Sequence, residues 1–390
     1  MSENPISLGD GVRVGSGRDL TLRSPGGSPP TTMPFRTISF LGTAILLASC
    51  LAGEGSIWSA QASPGRSPGP TPAPSTTPAD HTATPPLANG ASIPINALTP
   101  DMLARLEIFL DSHSFGPGKI DGQAGEFVGL ALSRYQMAQG KDPKPGQVDP
   151  ELQQELKKID PVFVAYTFTE ADQGWIGRIP QRPAALAKVK KAIYRSPLDF
   201  LAERFHSDQN FIRKLNPKIK FDQLKPGTVI QVPNIEPFQI ETINPVPDVP
   251  PHPEFAQRTV KVDTKARMLD LKEGDRLLAS FPITPGSERL PAPVGTWKIV
   301  KITILPNFRW DEAMLQHGRR SGNYYLIPPG PRNLVGIVWI GLNKKGIGIH
   351  GTDHPDTIGR SASHGCIRLA NWDAKRLAGE ITTGMTVQIF

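Results

Sequence analysis

Cysteine is nearly absent: two residues in 390, Cys50 and Cys366, cannot build a disulfide framework. Aromatic residues are sparse, at 7%. No stretch reaches the roughly 20 predominantly apolar residues that a membrane-spanning helix needs, so no transmembrane helix is expected. What the chain holds in quantity is proline and glycine, 41 and 37 residues. They concentrate in residues 1–95 and 236–253, where few apolar side chains could repay the entropy of ordering, and these stretches read as tail and linker. The remaining length divides into three folded blocks.

Residues 33–62 place Arg36 before an apolar run from Phe40 to Leu51 that ends in small residues, the layout of an export signal. Two processing sites compete. Leu47-Ala48-Ser49-Cys50 resembles a lipobox and would leave Cys50 as a lipidated N-terminus, whereas Ala60-Gln61-Ala62 would release a soluble protein. The expectation is a leader and signal over 1–62, a Pro/Ser/Thr-rich linker over 63–92, and export to the periplasm or cell envelope, with membrane contact only through the signal or a lipid anchor. With Cys50 removed or anchored, Cys366 has no intramolecular partner, so it is either a reactive thiol or a small buried hydrophobe.

Block one spans 93–160. Thr99 and Pro100 form a cap and first-turn pair ahead of Leu103, Leu106 and Leu110 at helical spacing. After FGPGKIDGQAG, a second helix is expected to put Phe127, Leu130, Ala131 and Tyr135 on one face. Gly118, Ile120, Asp121, Gly122, Gly125, Ala131, Leu132, Tyr135 and Gln136 resemble the pattern of a small helical peptidoglycan-binding domain. In block two, 161–237, helices through Leu198, Leu201 and Phe205 and through Phe211 to Leu215 precede an Asn-Pro turn and the strand LKPGTVIQVP. This resembles a glycan-binding LysM module, although that family's first strand is not visible before Ser196. A proline-rich linker, 238–256, reads as a stiff spacer.

From 257 to 390 short alternating runs (RTVKVD, RMLDL, RLLASFPIT, GTWKIVKITIL, VGIVWIGL, GIGIH, MTVQIF) predict an all-β sandwich or barrel-like block. One helix is expected near the end, capped by Asn371 and stopping at Gly379. This block carries 19 Lys plus Arg against 11 Asp plus Glu, which suits an acidic substrate. The basic residues are scattered and not striped, which argues against a nucleic-acid partner.

Within the block, HGTDHPDTIGRSASHGCIRLANWD, residues 350–373, gathers three histidines and Cys366. Acyl transfer by a thiol needs a nearby base and donors for the oxyanion. GIGIH delivers His350 at a strand end, Gly365 permits close backbone approach beside Cys366, and Arg368 suits a substrate carboxylate or a loop anchor. His350, His354, His364 and Cys366 are also permissible zinc ligands, but Gly351 and Pro355 disfavour the helix that would converge a His-x-x-x-His pair. His354 is expected to be exposed, and no metal or other cofactor is expected.

The stretch "IHGT … IG … S-x-GC-I-R-L-x-N-x-D", with IPPGPRNLVGIVWIGL before it, resembles the active-site signature of the YkuD-type L,D-transpeptidase catalytic domain. The resemblance implies Cys366 as nucleophile, His350 as its base and the Gly351 carbonyl as the base's orienting partner. It also implies an oxyanion hole from amides around Gly365 and Cys366, and a pocket shaped by Ser363, His364 and Arg368. The implied reaction splits the bond between the third, L-centred residue of a peptidoglycan stem tetrapeptide and its terminal D-alanine, through a thioester resolved by an acceptor amine. Peptidoglycan stem peptides and glycan are the implied partners. An L,D-carboxypeptidase that uses water, and an inactive wall-binding protein, are the alternatives.

Overall fold

The computed structural model describes residues 90–287, 290–360 and 365–390. The leader over 1–62, Cys50 and nearly all of the 63–92 linker lie outside the described residues. Those described belong to one compact unit, Asp80–Phe390.

Block one pairs two short strands, β1 (Ile93–Pro94) and β2 (Gln147–Val148), and carries three helices: α1 (Pro100–Ser112), α2 (Glu126–Ala138) and α3 (Pro150–Lys157). Thr99 Oγ1 accepts from Met102 N at 3.3 Å and Pro100 occupies the first turn, so the cap forms where it was expected. The buried face of α2 is Val128, Ala131, Leu132 and Gln136, with Phe127 and Leu130 only half-buried. The expected face is thus rotated, because Phe127 leaves the block's own core to meet Gly359 of the last block. In the IDG turn, Gly122 has φ +66°. The buried Glu107 carboxylate accepts from the amides of Asp121 and Gly122 at 3.1 and 2.8 Å.

Block two contains β3 (Phe163–Thr167), two single-turn helices, α4 (Glu170–Gln173) and α5 (Pro183–Leu186), then α6 (Pro197–Arg204), α7 (Gln209–Leu215) and β4 (Val229–Pro233). β3 pairs antiparallel with β4. A strand thus precedes Ser196, separated from α6 by the two short helices.

The last block contributes β5 (Arg258–Asp263), β6 (Met268–Glu273), β7 (Arg276–Pro282), β8 (Gly295–Ile304), β9 (Phe308–Trp310), α8 (Glu312–His317), β10 (Tyr325–Ile327), β11 (Val338–Leu342), β12 (Gly348–His350), β13 (Ile367–Arg368), α9 (Asn371–Ala378) and β14 (Thr386–Ile389). β9 and β10 form a small hairpin sheet. The other strands make one mixed sheet in the order β13-β12-β11-β8-β14-β5-β6-β7. Its ends meet: just beyond β7, Thr284 and Arg368 of β13 exchange two backbone hydrogen bonds of 2.9 Å. The sheet therefore curls until its first and last strands touch, which is barrel-like closure. The β14–β5 and β12–β13 pairs are parallel, a feature that alternation alone does not reveal.

Two local expectations change. Asn371 is the first residue inside α9, not its cap, and the capping position falls on Ala370. Its side chain is fully buried and turned to other work. Residues 238–256 do not act as a detached spacer in this fold. Val246 and Val249 donate to Ile304 and Ile302 of β8 at 3.1 and 2.9 Å, and Phe238 and Ile240 are buried.

The blocks are packed together through buried polar groups. Asp111 of α1 is fully buried and meets His206 at 3.0 Å and both terminal guanidinium nitrogens of Arg376 at 2.8 and 3.0 Å. Trp372 stacks on His206 with centroids 4.9 Å apart. Among the described residues no helix is long and apolar enough to cross a membrane.

Candidate active site

β12 and β13 run side by side with Ile349 opposite Ile367 and His350 opposite Arg368. Side chains alternate across a strand, so His350 and Arg368 stand level on one face. Cys366, two residues before Arg368, enters the same region at the level of Gly348. The strand pairing thus gathers residues 18 positions apart in sequence, which no local pattern could do.

His350 is 5% exposed. Its Nδ1 donates to the Gly351 carbonyl at 2.6 Å, and Trp339, its partner on β11, stacks on the ring at 5.6 Å and 21°. Donation from Nδ1 leaves Nε2 as the lone-pair nitrogen. Burial first, and the Arg368 charge second, hold the imidazolium pKa down at about 3, so the ring is neutral near pH 7.

Cys366 keeps part of its surface open. Its Sγ lies 3.6 Å from the Gly346 carbonyl. Burial raises the thiol above its ordinary value, with the Gly348 backbone and the Arg368 charge pulling the other way. Both groups are therefore neutral at rest. Gly365 has φ +97°, a conformation that L side chains rarely adopt, so glycine here sets the approach of the chain to Cys366. Arg368 is half-buried and its own pKa is lowered by burial.

Ser363 and His364 lie outside the described residues. His354 is exposed and sits 3.3 Å from Asp353, to which Arg195 of block two also donates. Among the described residues no three His, Cys, Asp or Glu side chains converge as metal ligands. A cavity of about 280 Å³ lies elsewhere, between the IDG turn of block one and residues 355–360, and neither Cys366 nor His350 lines it.

Sequence reasoning missed the groups that hold the backbone beyond His350. Asn371 Oδ1 accepts from Thr352 N and Ile337 N, both at 3.2 Å, and Asn371 Nδ2 donates to Glu203 Oε1 at 2.6 Å. The only available signal was the Asn in the signature itself, which reads locally as a helix cap.

Residues 257–389 match the model of the YkuD family, the L,D-transpeptidase catalytic domain. The YkuD protein of Bacillus licheniformis is 30% identical over 192 residues, covering 49% of this chain and 92% of that protein. That alignment is longer than the matched block and so takes in residues upstream of it. YbiS of Escherichia coli K12 is 25% identical over 195 residues, 49% of this chain and 59% of its own length. Both carry L,D-transpeptidase names. Among solved structures, an L,D-transpeptidase from Mycobacterium smegmatis aligns at 18% identity and TM-score 0.29 over 35% of this chain and 59% of that one. The catalytic domain of the Enterococcus faecium enzyme aligns at 20% and 0.28 over 35% and 98%.

Proposed function

Because the chain belongs to the YkuD family of L,D-transpeptidases, we propose that it cross-links peptidoglycan by acyl transfer through Cys366. The thiol attacks the carbonyl between the third stem residue and the terminal D-alanine, and His350 Nε2 takes its proton. The tetrahedral oxyanion is received by backbone amides near Gly365 and Cys366. The imidazolium then returns the proton to the departing amine, D-alanine leaves and a thioester remains. An acceptor amine attacks the thioester, His350 removes the amine's proton, and the thiol is regenerated. Arg368 supplies positive charge beside the reacting carbonyl, and Ser363 and His364 shape the pocket. No cofactor enters this scheme.

The observation that carries the reading is the state of His350: neutral, with Nδ1 engaged by the Gly351 carbonyl and Nε2 left as a base, on the strand beside Cys366 and two register positions from it. Blocks one and two hold the enzyme on wall glycan and peptide, and the protein works outside the cytosol, in the periplasm or cell wall. Incubation with a stem tetrapeptide and mass spectrometry provides the test. The expected product is a cross-linked dimer with loss of D-alanine, absent from Cys366→Ala. Tripeptide without dimer identifies water as acceptor, and no product at all removes the enzymatic reading.

A further inference from the structure

The hydrogen bond that orients His350 is one end of a buried chain that begins in block two. The Gly351 carbonyl and the Thr352 amide are two ends of one planar peptide unit. His350 Nδ1 donates to the first at 2.6 Å, and the second donates to Asn371 Oδ1 at 3.2 Å. A rotation of that plane that weakens one bond weakens the other. Asn371 also donates from Nδ2 to the Thr352 carbonyl at 3.0 Å, so it grips both backbone polar groups of Thr352. The fit is tight. A Cβ on Gly351 would lie 2.1 Å from Asn371 Oδ1, and a Cβ on Gly336 would lie 2.0 Å from the same atom.

Asn371 has two nearly isosteric orientations. With Oδ1 toward the Thr352 and Ile337 amides, the oxygen faces only donors and the NH₂ only acceptors; flipped, the NH₂ would face those donors and the oxygen would face Glu203. Glu203 adds the charged and shortest contact to that choice, beside the Thr352 and Pro331 carbonyls, which also accept from Nδ2 at 3.0 and 3.2 Å. It is 1% exposed, one oxygen accepts from Asn371 at 2.6 Å and the other from Arg332 at 2.7 Å. Burial raises its carboxyl while Arg332 and Asn371 pull it back. Acceptance from two donors is the geometry of the ionised form, which can only accept. Arg332 is in turn gripped by Asp199 at 2.7 and 2.9 Å.

A fully buried ion pair is a poor source of net stability, since an apolar replacement of like volume often does as well. Its use here is orientation. We propose that Glu203, contributed by α6 of block two, is a positioning residue for the base: through Asn371 and the Gly351–Thr352 peptide it fixes the His350 tautomer that leaves Nε2 unprotonated. The inference rests on His350 serving as the base proposed above, but its central observable does not require turnover.

The test uses the full chain and ¹⁵N spectra of the His350 ring near pH 7, with carbapenem acylation of Cys366 measured in parallel. Wild type is expected to hold the proton on Nδ1. Glu203→Gln should give a mixed tautomer and slow acylation by roughly a hundredfold, at the low end of what a positioned base contributes. Asp199→Asn disturbs the same buried arginine without touching Asn371, so it should lower thermal stability while leaving the tautomer intact. Glu203→Asp keeps the charge but shortens the reach to Asn371, and carries the same comparison should Glu203→Gln not fold. An unchanged tautomer in the Glu203 variants, with stability loss like that of Asp199→Asn, overturns the proposal. Wild type that resists acylation while the tautomer still responds to Glu203 overturns the proposed reaction and leaves the positioning role standing.

Discussion

A thiol raised by burial, beside an imidazole lowered by burial, is a different nucleophile from a preformed thiolate–imidazolium pair. In such a pair the thiolate is present from mildly acidic pH upward. Here the folded state favours two neutral groups, and the proton must move as the carbon–sulfur bond forms. The consequence is a split between two pH profiles. Alkylation of Cys366 by iodoacetamide, which reads thiolate, should climb about tenfold per pH unit through neutrality and level off only above the ordinary thiol range. Acylation by a carbapenem, which uses His350, should stay flat across neutrality and fall only as the pH approaches 3, where the imidazole protonates. An alkylation plateau extending down to pH 5 would show a resting ion pair instead. Gly365 supports a second residue-scale prediction. An L side chain at φ +97° costs on the order of 1–3 kcal/mol, and Gly365→Ala should therefore slow acylation by displacing the backbone next to the nucleophile, with a smaller effect on the melting temperature.

At the scale of elements, the sheet needs its edges managed as well as its core filled. β8 pairs with β11 along one part and with β14 along another, and the proline-rich segment 238–256 covers the edge that remains, through Val246 and Val249. An open edge is a template for pairing with other chains. Val249→Pro removes the donor to Ile302 and should cost about 1 kcal/mol for the lost bond, read as a lower urea midpoint, with aggregation rising on the same pathway. Wild-type behaviour in both measurements would mean that the segment merely rests on the sheet. The same element shows where sequence reading stops. Strands such as RTVKVD and GIGIH announce themselves by alternation, and Thr99-Pro100 announces a helix by its cap. Prolines lower the expectation of any ordered contact, so the docked segment is invisible until β8 is placed beside it. Asn371 fails for a related reason. Asparagine before a helix satisfies local amides in most settings, and only the presence of Glu203 and Thr352, 168 and 19 residues away, turns its side chain inward. Cys366, His350 and Gly351 stand out as candidates because the chemistry and the signature share one short stretch. Glu203 and Arg332 do not, because their pairing depends entirely on how block two packs.

For the molecule as a whole, the last block shares its interior with the blocks before it. Leu277 of β7 belongs to the apolar cluster of block one, with Leu110, Phe115 and Leu132. Arg332 of the last block is 1% exposed and has its carboxylates, Asp199 and Glu203, in block two. Arg376 finds its closest carboxylate, Asp111, in block one. Cutting the chain at residue 257 would strip two arginines of these partners and uncover the apolar face of β7. Breaking one buried pair by removing a partner costs about 3–5 kcal/mol, against a total stability of about 5–15 kcal/mol for a typical domain. Two such losses together approach the whole. The fragment 257–390, although it contains the entire matched family region, should therefore be a poorly folded species with a weak or absent thermal transition and no carbapenem acylation. Residues 90–390, which keep each of these pairs, should melt cooperatively and acylate. If the short fragment melts at the same temperature and acylates at the same rate, the upstream blocks are accessories joined to a self-sufficient catalyst, and their buried carboxylates contribute nothing to it.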